Sequence, residues 1–404
     1  MIEDGLIKAL GKALAPGPGK TEIYDASGLW LMPGLIDMHV HTREPGMERA
    51  ENLASAARAA AAGGVTSILA MPNTEPPADD PALIRRLSAK AAGLPVNVYF
   101  SAAVTMGRAG KKLTDLSALK KAGALAFTDD GDCVAESKLL DRALRLAKDL
   151  RIPLLDHAES LSLTGSGVIH DCARARRPRL PGIPRESETF MVLRDILAAY
   201  SARAPLHIQH LSCLESVELV AAAKKAGIKV TAETCPHYFT LTCEDAMNAS
   251  FKMKPPLREP ADRAALKKGL AGGAIDVIAS DHAPHTAAEK RKGLLKAPFG
   301  VIGLETMLGL ALTELVHTGL LSRLRLAALM SANPARILGL KNKGGLAPGM
   351  DADLTLVDPR AEYRVGPDFY SRSANSPFIG RRLKGRAAAT IVGGRFVFKE
   401  GRFI

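Results

Sequence analysis

From Leu35 onward, short apolar runs of β type alternate with Ala-rich amphipathic stretches that close at glycine. Gly63, Gly93 and Gly227 stand where three of these stretches end, a position that glycine favours after a helix. Alternating strands and helices are typical of a parallel sheet, and eight repeats favour a closed barrel over an open sheet. The pattern therefore predicts an α/β fold, a TIM (β/α)8 barrel. The strands are expected to begin near Leu35, Thr66, Asn97, Ala124, Pro153, Leu206, Lys229 and Asp276.

The two chain ends fall outside this alternation. Residues 1–33 hold short strand-like fragments broken by Gly and Pro, and residues 345–404 are rich in β-forming residues after a helical region at about 303–340. We expect the ends to combine in a small β-sandwich domain beside a barrel domain at 34–344. Strands of this second domain are predicted at 6–10, 21–24, 353–357 and 388–398.

The composition is that of an ordinary soluble globular protein, with 47% hydrophobic and 24% charged residues. There is no run of eighteen apolar residues and no basic N-terminal segment followed by an apolar one. Neither a membrane span nor a secretory signal is predicted, and we expect a cytoplasmic protein. The cysteines form no Cys-x-x-Cys pair, which argues against a disulfide framework or a thiolate zinc site, and they are expected to be reduced and mostly buried. They are Cys133, Cys172, Cys213, Cys235 and Cys243.

The net charge of +12 is compatible with a nucleic acid, an acidic partner or an anionic metabolite. The densest basic cluster lies in the long connection at 160–185, which follows the fifth predicted strand and should lie on the C-terminal face of the barrel. It has no interleaved aromatic residues and no nucleic-acid module around it, so a solvated loop is the first expectation and assistance to an anionic ligand the second. No nucleic-acid binding is expected. The cluster comprises Arg174, Arg176, Arg177 and Arg179.

Two histidines close the first predicted strand. His39 and His41 are two residues apart, and because side chains alternate along a strand they point to the same face. Two imidazoles converging from a strand end suit zinc, and a free coordination position beside them would make the site catalytic. A lone His-x-His pair is weak evidence, so a structural coincidence stays open on these two residues alone.

Ionisable residues also collect at four further strand ends. Because barrel interiors are filled by apolar side chains, this concentration at one rim favours a metal site over buried structural histidines. His207 and His210 are an odd number of positions apart, so only one of them is expected to face the interior. The residues are Asp129 and Asp130 after the fourth strand, Asp156, His157 and Glu159 at the fifth, His207 and His210 at the sixth, and Asp281, His282 and His285 at the eighth.

Several motifs resemble those of dihydroorotases of the bacterial type I group, within the amidohydrolase superfamily. The resemblance extends from about residue 33 to the end of the chain. It implies the reversible hydrolysis of (S)-dihydroorotate to N-carbamoyl-L-aspartate, a step in the synthesis of the pyrimidine nucleotide UMP. The motifs are His39-Val-His41-Thr-Arg43-Glu-Pro-Gly46, Met71-Pro-Asn73-Thr74, Thr128-Asp129-Asp130-Gly131, Asp281-His-Ala-Pro-His285, Phe299-Gly300, Gly303-Leu-Glu305, Ser331-Ala-Asn-Pro334 and Ala352-Asp353-Leu354.

The resemblance also implies a site with two zinc ions and a water or hydroxide between them. The implied metal ligands are His39, His41 and Asp281 for the first ion, His157 and His210 for the second, and Asp130, preferred to Asp129, as the bridge. The implied substrate contacts are His41, Arg43, Asn73 and His285, with the backbone at Phe299 and Gly300 touching the ring. A planar guanidinium can bind a carboxylate through two nitrogens, which gives a physical reason for Arg43. Asp281 would also take the proton of the attacking water and pass it to the leaving ring nitrogen.

Two departures from the family pattern bear on the activity. Lys254 stands where the group has asparagine before Pro-Pro-Leu-Arg, so that substrate contact is not carried over. The segment from Glu233 to His237 is similar to hydantoinases and allantoinases, which makes hydrolysis of another cyclic amide an alternative. Those relatives use a carboxylated lysine as the metal bridge, and residues 124–131 contain no lysine, which favours dihydroorotase. His237 is then expected to be a structural or supporting residue rather than a ligand.

The N-terminus is short compared with the family. A start codon placed too late would explain this, and restoring upstream codons is expected to improve solubility because exposed strand edges invite pairing with other chains. A further alternative is a non-catalytic barrel kept as a structural partner of aspartate carbamoyltransferase, against which the complete ligand set argues. A homodimer and a complex between an active enzyme and aspartate carbamoyltransferase are left open.

Overall fold

The computed structural model describes residues 1–12, 14, 21–173 and 180–404. The arginine cluster at 174–179 lies outside the described residues. The strands are β1 Ile2–Glu3, β2 Leu6–Ile7, β3 Trp30–Pro33, β4 Leu35–Val40, β5 Val65–Ala70, β6 Asn97–Ala102, β7 Ala126–Phe127, β8 Leu155–Asp156, β9 Ile169–His170, β10 Gly182–Ile183, β11 Leu206–Ile208, β12 Val230–Thr234, β13 Val277–Ile278, β14 Leu354–Arg364, β15 Arg382–Val392, β16 Arg395–Lys399 and β17 Arg402–Phe403.

Helices follow the barrel strands on the outside. The α-helices are Leu53–Ala62, Pro81–Ala91, Leu116–Lys121, Ser137–Leu150, Leu161–Thr164, Glu186–Ala202, Leu214–Lys225, Pro236–Thr240, Pro260–Gly272, Ala287–Lys290, Gly293–Lys296, Met307–Ala311, Arg323–Ala327 and Asn333–Leu338. Short 3₁₀ turns occupy Met106–Arg108, Cys243–Asp245 and Ala249–Phe251, and π-helical turns occupy Leu312–Val316 and Ala328–Ala332. Within the described ranges, no helix is both long and apolar enough to cross a bilayer.

The central sheet is a closed barrel of parallel strands. Two four-stranded sheets, in the orders β4-β5-β6-β7 and β8-β11-β12-β13, meet through single bridges between Phe127 and Leu154 and between Val40 and His282. The carboxylate of Asp37 on β4 accepts a hydrogen bond from the backbone of Ser280 after β13, at 3.1 Å. These contacts confirm the predicted TIM barrel, and each strand starts within two residues of its predicted position.

Both chain ends contribute to a second β layer, as predicted. Strands β3, β14, β15, β16 and β17 form an antiparallel sheet, and β14 pairs with β3 from Leu354 opposite Pro33 to Val357 opposite Trp30. The β1-β2 hairpin joins this layer through a bridge between Leu6 and Asp351. The strand predicted at 21–24 is wrong: that segment has no strand, and the N-terminal partner of the tail is Trp30–Pro33 instead.

The core lies between the barrel and its helices. In Leu53–Ala62, the side chains of Leu53, Ala56 and Ala60 are buried, and the small alanines let the helix approach the sheet closely. Its first turn is capped by Asn52, whose side chain accepts a hydrogen bond from the backbone of Ser55 at 2.8 Å. Each such helix returns the chain to the amino end of the next strand. All the strand ends that carry predicted site residues therefore meet at one rim.

Candidate active site

The structure brings the six predicted metal ligands together at the carboxyl end of the barrel. They come from five different strand ends and are buried, with the most exposed of them only 6% accessible. Three of them, His39, His41 and Asp281, present ligand atoms that all lie within 4.8 Å of one another. A second group of the same kind consists of His39, Asp130 and His210. Nitrogen and carboxylate oxygen donors at this density are suited to one or two divalent cations.

Neighbouring acceptors fix the proton positions of the first two histidines. His39 Nδ1 lies 2.6 Å from a carboxylate oxygen of Glu233, and His41 Nδ1 lies 2.7 Å from the amide oxygen of Asn73. An imidazole that donates through Nδ1 has its lone pair on Nε2. Both Nε2 atoms face Asp281 Oδ1, at 3.5 Å from His39 and 3.2 Å from His41. Each ring therefore presents its Nε2 lone pair for a metal, while an acceptor oxygen holds its Nδ1–H. Metal-binding histidines usually have such an acceptor on their second nitrogen.

Asp130, rather than Asp129, faces this cluster. Its carboxylate lies 3.2 Å from His39 Nε2, 3.4 Å from His41 Nε2 and 3.5 Å from His157 Nδ1. Asp129 points away and accepts hydrogen bonds from the backbone and hydroxyl of Thr105. Of these two aspartates, Asp130 alone therefore reaches both halves of the cluster.

His157 and His210 form the second half of the cluster. His210 Nε2 lies 2.8 Å from His157 Nδ1 and 3.7 Å from Asp130 Oδ1. On its other side, His157 Nε2 lies 3.2 Å from the carboxylate of Glu159. Burial works against a charged imidazole, but bonds to Asp130 and Glu159 outweigh it and raise the pKa of His157 to about 9. This half of the site therefore favours positive charge.

The expectation that only one of His207 and His210 faces the interior is wrong. His207 lies on β11 and its Nε2 is 3.1 Å from the Glu233 carboxylate inside the barrel. His210 follows the strand end, where a positive φ of 33° breaks the alternation and turns its ring inward as well. Asp281 has the same kind of backbone, with φ of 45°. Strained residues of this kind often occur at functional sites.

The donor set fits a cation on two observations. His39 Nε2 and Asp130 Oδ1 are buried and lie 3.2 Å apart without hydrogen-bond geometry, and neither atom has another hydrogen-bond partner among the described residues. Burial opposes ionisation of Asp130, but the charge of His39 and the close imidazole groups of His157 and His210 hold its pKa well below the usual range. In the same way, burial disfavours a charged His39, yet nearby carboxylates raise the pKa of His39 well above its usual value. Positive charge is therefore strongly stabilised at this point.

A cavity of about 310 Å³ opens beside the cluster. Its wall includes all the predicted substrate contacts, namely His41, Arg43, Asn73, His285, Phe299 and Gly300. His285 Nε2 donates to the carbonyl of Phe299 at 2.7 Å, and burial together with the charge of Arg43 lowers the pKa of His285 to about 3. Arg43 is held by the carbonyl of Pro284 at 3.1 Å from its Nε, so its guanidinium is positioned at the cavity. A buried guanidinium beside neutral amide and imidazole groups is suited to a carboxylate.

Lys254 lines the same cavity. Its ammonium lies 2.9 Å from the carboxylate of Glu159 and 5.4 Å from the centre of the Phe299 ring. Glu159 in turn contacts His157, so Lys254 is one residue removed from the cluster of predicted metal ligands. His237 is buried, its ring and the Asp281 carboxylate offer ligand atoms within 4.8 Å of each other, and burial lowers the pKa of His237 to about 4.

Sequence reasoning missed three supporting residues. Glu233 contacts both His39 and His207, and the amide nitrogen of Gln209 lies 3.2 Å from His39 Nδ1. Asn375, from the C-terminal segment, accepts from the backbone of His285 and donates to the carbonyl of Gly300. Glu233 lay in a segment already noted for its similarity to hydantoinases, but nothing in the sequence signalled Asn375.

An eight-stranded barrel with histidines and aspartates at its carboxyl rim is the architecture of the amidohydrolases. Two solved structures match this chain over 100% of its length and 92% of theirs. L-hydantoinase (dihydropyrimidinase) from Arthrobacter aurescens does so with a TM-score of 0.88 and 26% identity. Dihydropyrimidinase from Brevibacillus agri has a TM-score of 0.86 and 25% identity.

The sequence comparisons narrow this class to one family. The model of the family described as dihydro-orotase-like matches residues 28–216. Dihydroorotase of Pelotomaculum thermopropionicum is 47% identical, over 99% of this chain and 93% of that protein. Dihydroorotase of Pelobacter propionicus is 46% identical, over 99% and 95%. The chain belongs to the dihydroorotase family and is a cyclic amide hydrolase.

Proposed function

We propose that this enzyme interconverts (S)-dihydroorotate and N-carbamoyl-L-aspartate in pyrimidine synthesis, in the cytoplasm. The observation that carries the proposal is the subsite formed by Arg43, Asn73 and His285 beside the metal cluster. Dihydroorotate carries a carboxylate on the ring carbon that one methylene group separates from the scissile carbonyl, whereas hydantoin and dihydrouracil are neutral rings. A buried cation would be poorly compensated in an enzyme for neutral rings, because it would meet no counter-charge from the substrate.

The proposed cofactor is zinc, two ions per subunit. His39, His41 and Asp281 would hold one ion, His157 and His210 the other, and Asp130 would bridge them. When bound, zinc would lower the pKa of a water molecule and polarise the amide carbonyl. The support is the chemistry of the donors, neutral imidazole nitrogens and carboxylate oxygens, together with the unpartnered His39 and Asp130 atoms.

The residues around the proposed metal site would have separate roles in the reaction. Arg43, with Asn73 and His285, would bind the substrate carboxylate and fix the ring, and the backbone at Phe299 and Gly300 would close over it. Asp281 would take the proton of the attacking water on its carboxylate and deliver it to the ring nitrogen as the amide bond breaks. Burial disfavours the ionised form, but His39 and His41 lower the pKa of Asp281, so that it is ionised at neutral pH. In the reverse direction the same carboxylate would take the proton from the ureido nitrogen.

Two other functions fit the site less well. A hydantoinase-like activity is favoured by the folds of the solved structures, but the described site has a carboxylate, Asp130, where a carboxylated lysine would be needed. A non-catalytic partner of aspartate carbamoyltransferase has no reason to keep six converging ligands and a buried Arg43.

The decisive assay is the loss of ring absorbance when zinc-loaded protein is added to dihydroorotate, with hydantoin, dihydrouracil and allantoin in parallel. We expect turnover of dihydroorotate alone, lost on chelation and restored by zinc. Turnover of only the neutral rings would assign the enzyme to the hydantoinase type. Failure on all four substrates would support a structural role.

Replacing Arg43 by alanine is expected to lower kcat/KM for dihydroorotate by about 10²–10³, because a buried charge-assisted pair to the substrate carboxylate is lost. Zinc content should not change, since Arg43 is not among the proposed ligands. Arg49, which is exposed on the same loop, provides the matched control, and Arg49→Ala should behave like the parent enzyme. An Arg43→Ala enzyme with normal kcat/KM would remove the carboxylate subsite from the proposal.

Lys254 is expected to assist binding of the open-chain substrate. N-carbamoyl-aspartate carries two carboxylates and dihydroorotate only one, so the Lys254 ammonium at the cavity wall should favour the former. Replacing Lys254 by methionine, which keeps the length and removes the charge, should raise KM for N-carbamoyl-aspartate about tenfold, on the scale of one partly screened ion pair. Because the reaction equilibrium is fixed, kcat/KM must change by the same factor in both directions, so the ratio of kcat for N-carbamoyl-aspartate to kcat for dihydroorotate must rise by the same factor as the ratio of their KM values. Equal changes of KM for both substrates would contradict this role.

A further inference from the structure

Lys290 is a buried lysine at the end of the short helix Ala287–Lys290, and only 8% of it is exposed. Lysine is almost never buried to this extent without a partner. The helix begins directly after the segment that carries His285, and a capping box fixes its start. Thr286 Oγ1 accepts a hydrogen bond from the backbone of Glu289 at 3.3 Å, and the Glu289 carboxylate accepts one from the backbone of Thr286 at 2.7 Å. The carboxylate next to Lys290 in sequence is therefore used in the cap, and other groups hold the ammonium.

Three backbone carbonyls surround the Lys290 ammonium. Its Nζ donates to the carbonyl of Ala249 at 3.0 Å, of Lys252 at 3.2 Å and of Pro298 at 2.9 Å. A protonated lysine has three N–H donors, so each donor has one acceptor here. The acceptors belong to two segments that are distant in sequence. Lys290 therefore ties these two segments to each other and to its own helix.

One of the segments that Lys290 holds is part of the wall of the candidate active site. Pro298, Phe299 and Gly300 all line the cavity beside the metal cluster. The backbone nitrogen of Gly300 donates at 2.9 Å to the carbonyl of Lys252, which also accepts from Lys290. A shift of this carbonyl or of Pro298 would therefore move the backbone that is proposed to touch the substrate ring.

The charge of Lys290 depends on the groups that face it. Burial, followed by the charges of Lys252 on the facing segment and Arg43 on the loop after the first barrel strand, lowers the pKa of Lys290 to about 7. The Glu289 carboxylate on its own helix has a smaller, opposite effect on this pKa. His285, just before the helix, is neutral, because burial and the charge of Arg43 lower its pKa to about 3. A neutral amine has only two N–H donors, so one of the three carbonyls would lose its donor when Lys290 loses its proton.

We infer that Lys290 is a positioning residue for the reaction: its ammonium holds segment 298–300 where it receives the substrate ring, and loss of its proton weakens substrate binding. Lys290 acts through the backbone and does not itself line the cavity. The inference rests on the proposed function, in which the backbone at Phe299 and Gly300 touches the ring. Because Lys290 keeps its proton below neutral pH and loses it above, its contribution to substrate affinity is present at the acid end and is lost as the pH rises.

Equilibrium dialysis of the zinc-loaded protein with orotate, which keeps the ring and the carboxylate of dihydroorotate, tests this role. Lys290→Met preserves most of the side-chain length and removes the charge. Its Kd should exceed that of the parent about tenfold near pH 6, on the scale of one hydrogen bond from a charged group, and only about twofold near pH 8.5. Comparison with the parent at each pH cancels the contribution of water bound to the metal. Lys292 is exposed two residues further on, so Lys292→Met is the matched control and should follow the parent at every pH.

A difference in Kd that is absent, or that stays constant with pH, would overturn the inference, because a purely structural role does not follow the proton of Lys290. Lys290→Gln retains two donors without a charge, and it should show the same dependence on pH if Lys290→Met fails to fold.

Calorimetric titration of the parent with orotate, in two buffers of different ionisation enthalpy, needs no variant. Binding should take up about half a proton at about pH 7.5, since it favours the protonated form of Lys290. Absence of this uptake in a parent that turns over dihydroorotate would overturn the role of Lys290 alone. A parent that neither binds orotate nor turns over dihydroorotate would overturn the proposed function as well.

Discussion

Replacing Asp281 by asparagine is expected to abolish turnover of dihydroorotate and of N-carbamoyl-aspartate alike. The change keeps the size of the side chain and removes its basicity, so the proton of the attacking water has no acceptor and the ring nitrogen has no donor. Loss of a positioned acid–base group costs about 10²–10⁴ in rate, and loss of a metal-binding charge adds to this. The measurement is kcat in each direction with saturating zinc.

Metal analysis separates the two roles given to Asp281. If zinc content stays at the parent level while turnover is lost, the proton-transfer role is supported directly. If zinc is lost as well, the ligand role is supported, and rescue by excess zinc should restore binding but not rate. An Asp281→Asn enzyme that retains more than a few per cent of parent turnover in either direction would contradict the acid–base role.

The strand positions and the side of the barrel that carries the site follow from local pattern. Apolar runs of four to six residues punctuated by glycine locate the strands, and a period of two places His39 and His41 on one face. The geometry of a parallel barrel then requires all carboxyl ends to meet at one rim, so the gathering of His157, His210 and Asp281 there needs no knowledge of tertiary contacts.

The orientation of individual side chains could not be obtained in this way. The period of two holds only while the backbone is extended, and His210 and Asp281 lie just beyond their strands with positive φ. Such a backbone is disfavoured for residues other than glycine, and tertiary contacts must impose it. His207 faces the interior because Glu233, on the neighbouring strand, provides a buried acceptor for it. Pairings between residues distant in sequence, like that of Asn375 with His285, leave no local signal.

The strand predicted at 21–24 failed for a related reason. Its sequence has β-forming residues, but the edge of β14 pairs with Trp30–Pro33, which lies closer in sequence to the first barrel strand. β-propensity indicates only that a segment can form a strand. The barrel's first strand begins two residues after Pro33, and its position decides which N-terminal segment reaches the sheet.

Asp129 and Asp130 are adjacent in sequence, and only Asp130 is proposed as a metal ligand. Variants of the two residues therefore provide a matched test of the metal site. Asp130→Asn should lose zinc and nearly all activity, because a neutral amide cannot bridge two cations and no longer offsets their charge. Asp129→Asn should retain zinc and activity but unfold a few degrees earlier, because its oxygens accept two buried hydrogen bonds from Thr105 and an amide can satisfy them only in part.

Thermal unfolding with and without added zinc reads out both effects. A ligand that binds only the folded state raises the unfolding temperature in proportion to its binding free energy. The parent and Asp129→Asn proteins should therefore show a zinc-dependent rise, and Asp130→Asn should show little. An undiminished rise in Asp130→Asn would mean that the remaining histidines and Asp281 hold the metal unaided. The bridging role would then be wrong, whereas the placement of the site at the strand ends would still stand on the other ligands.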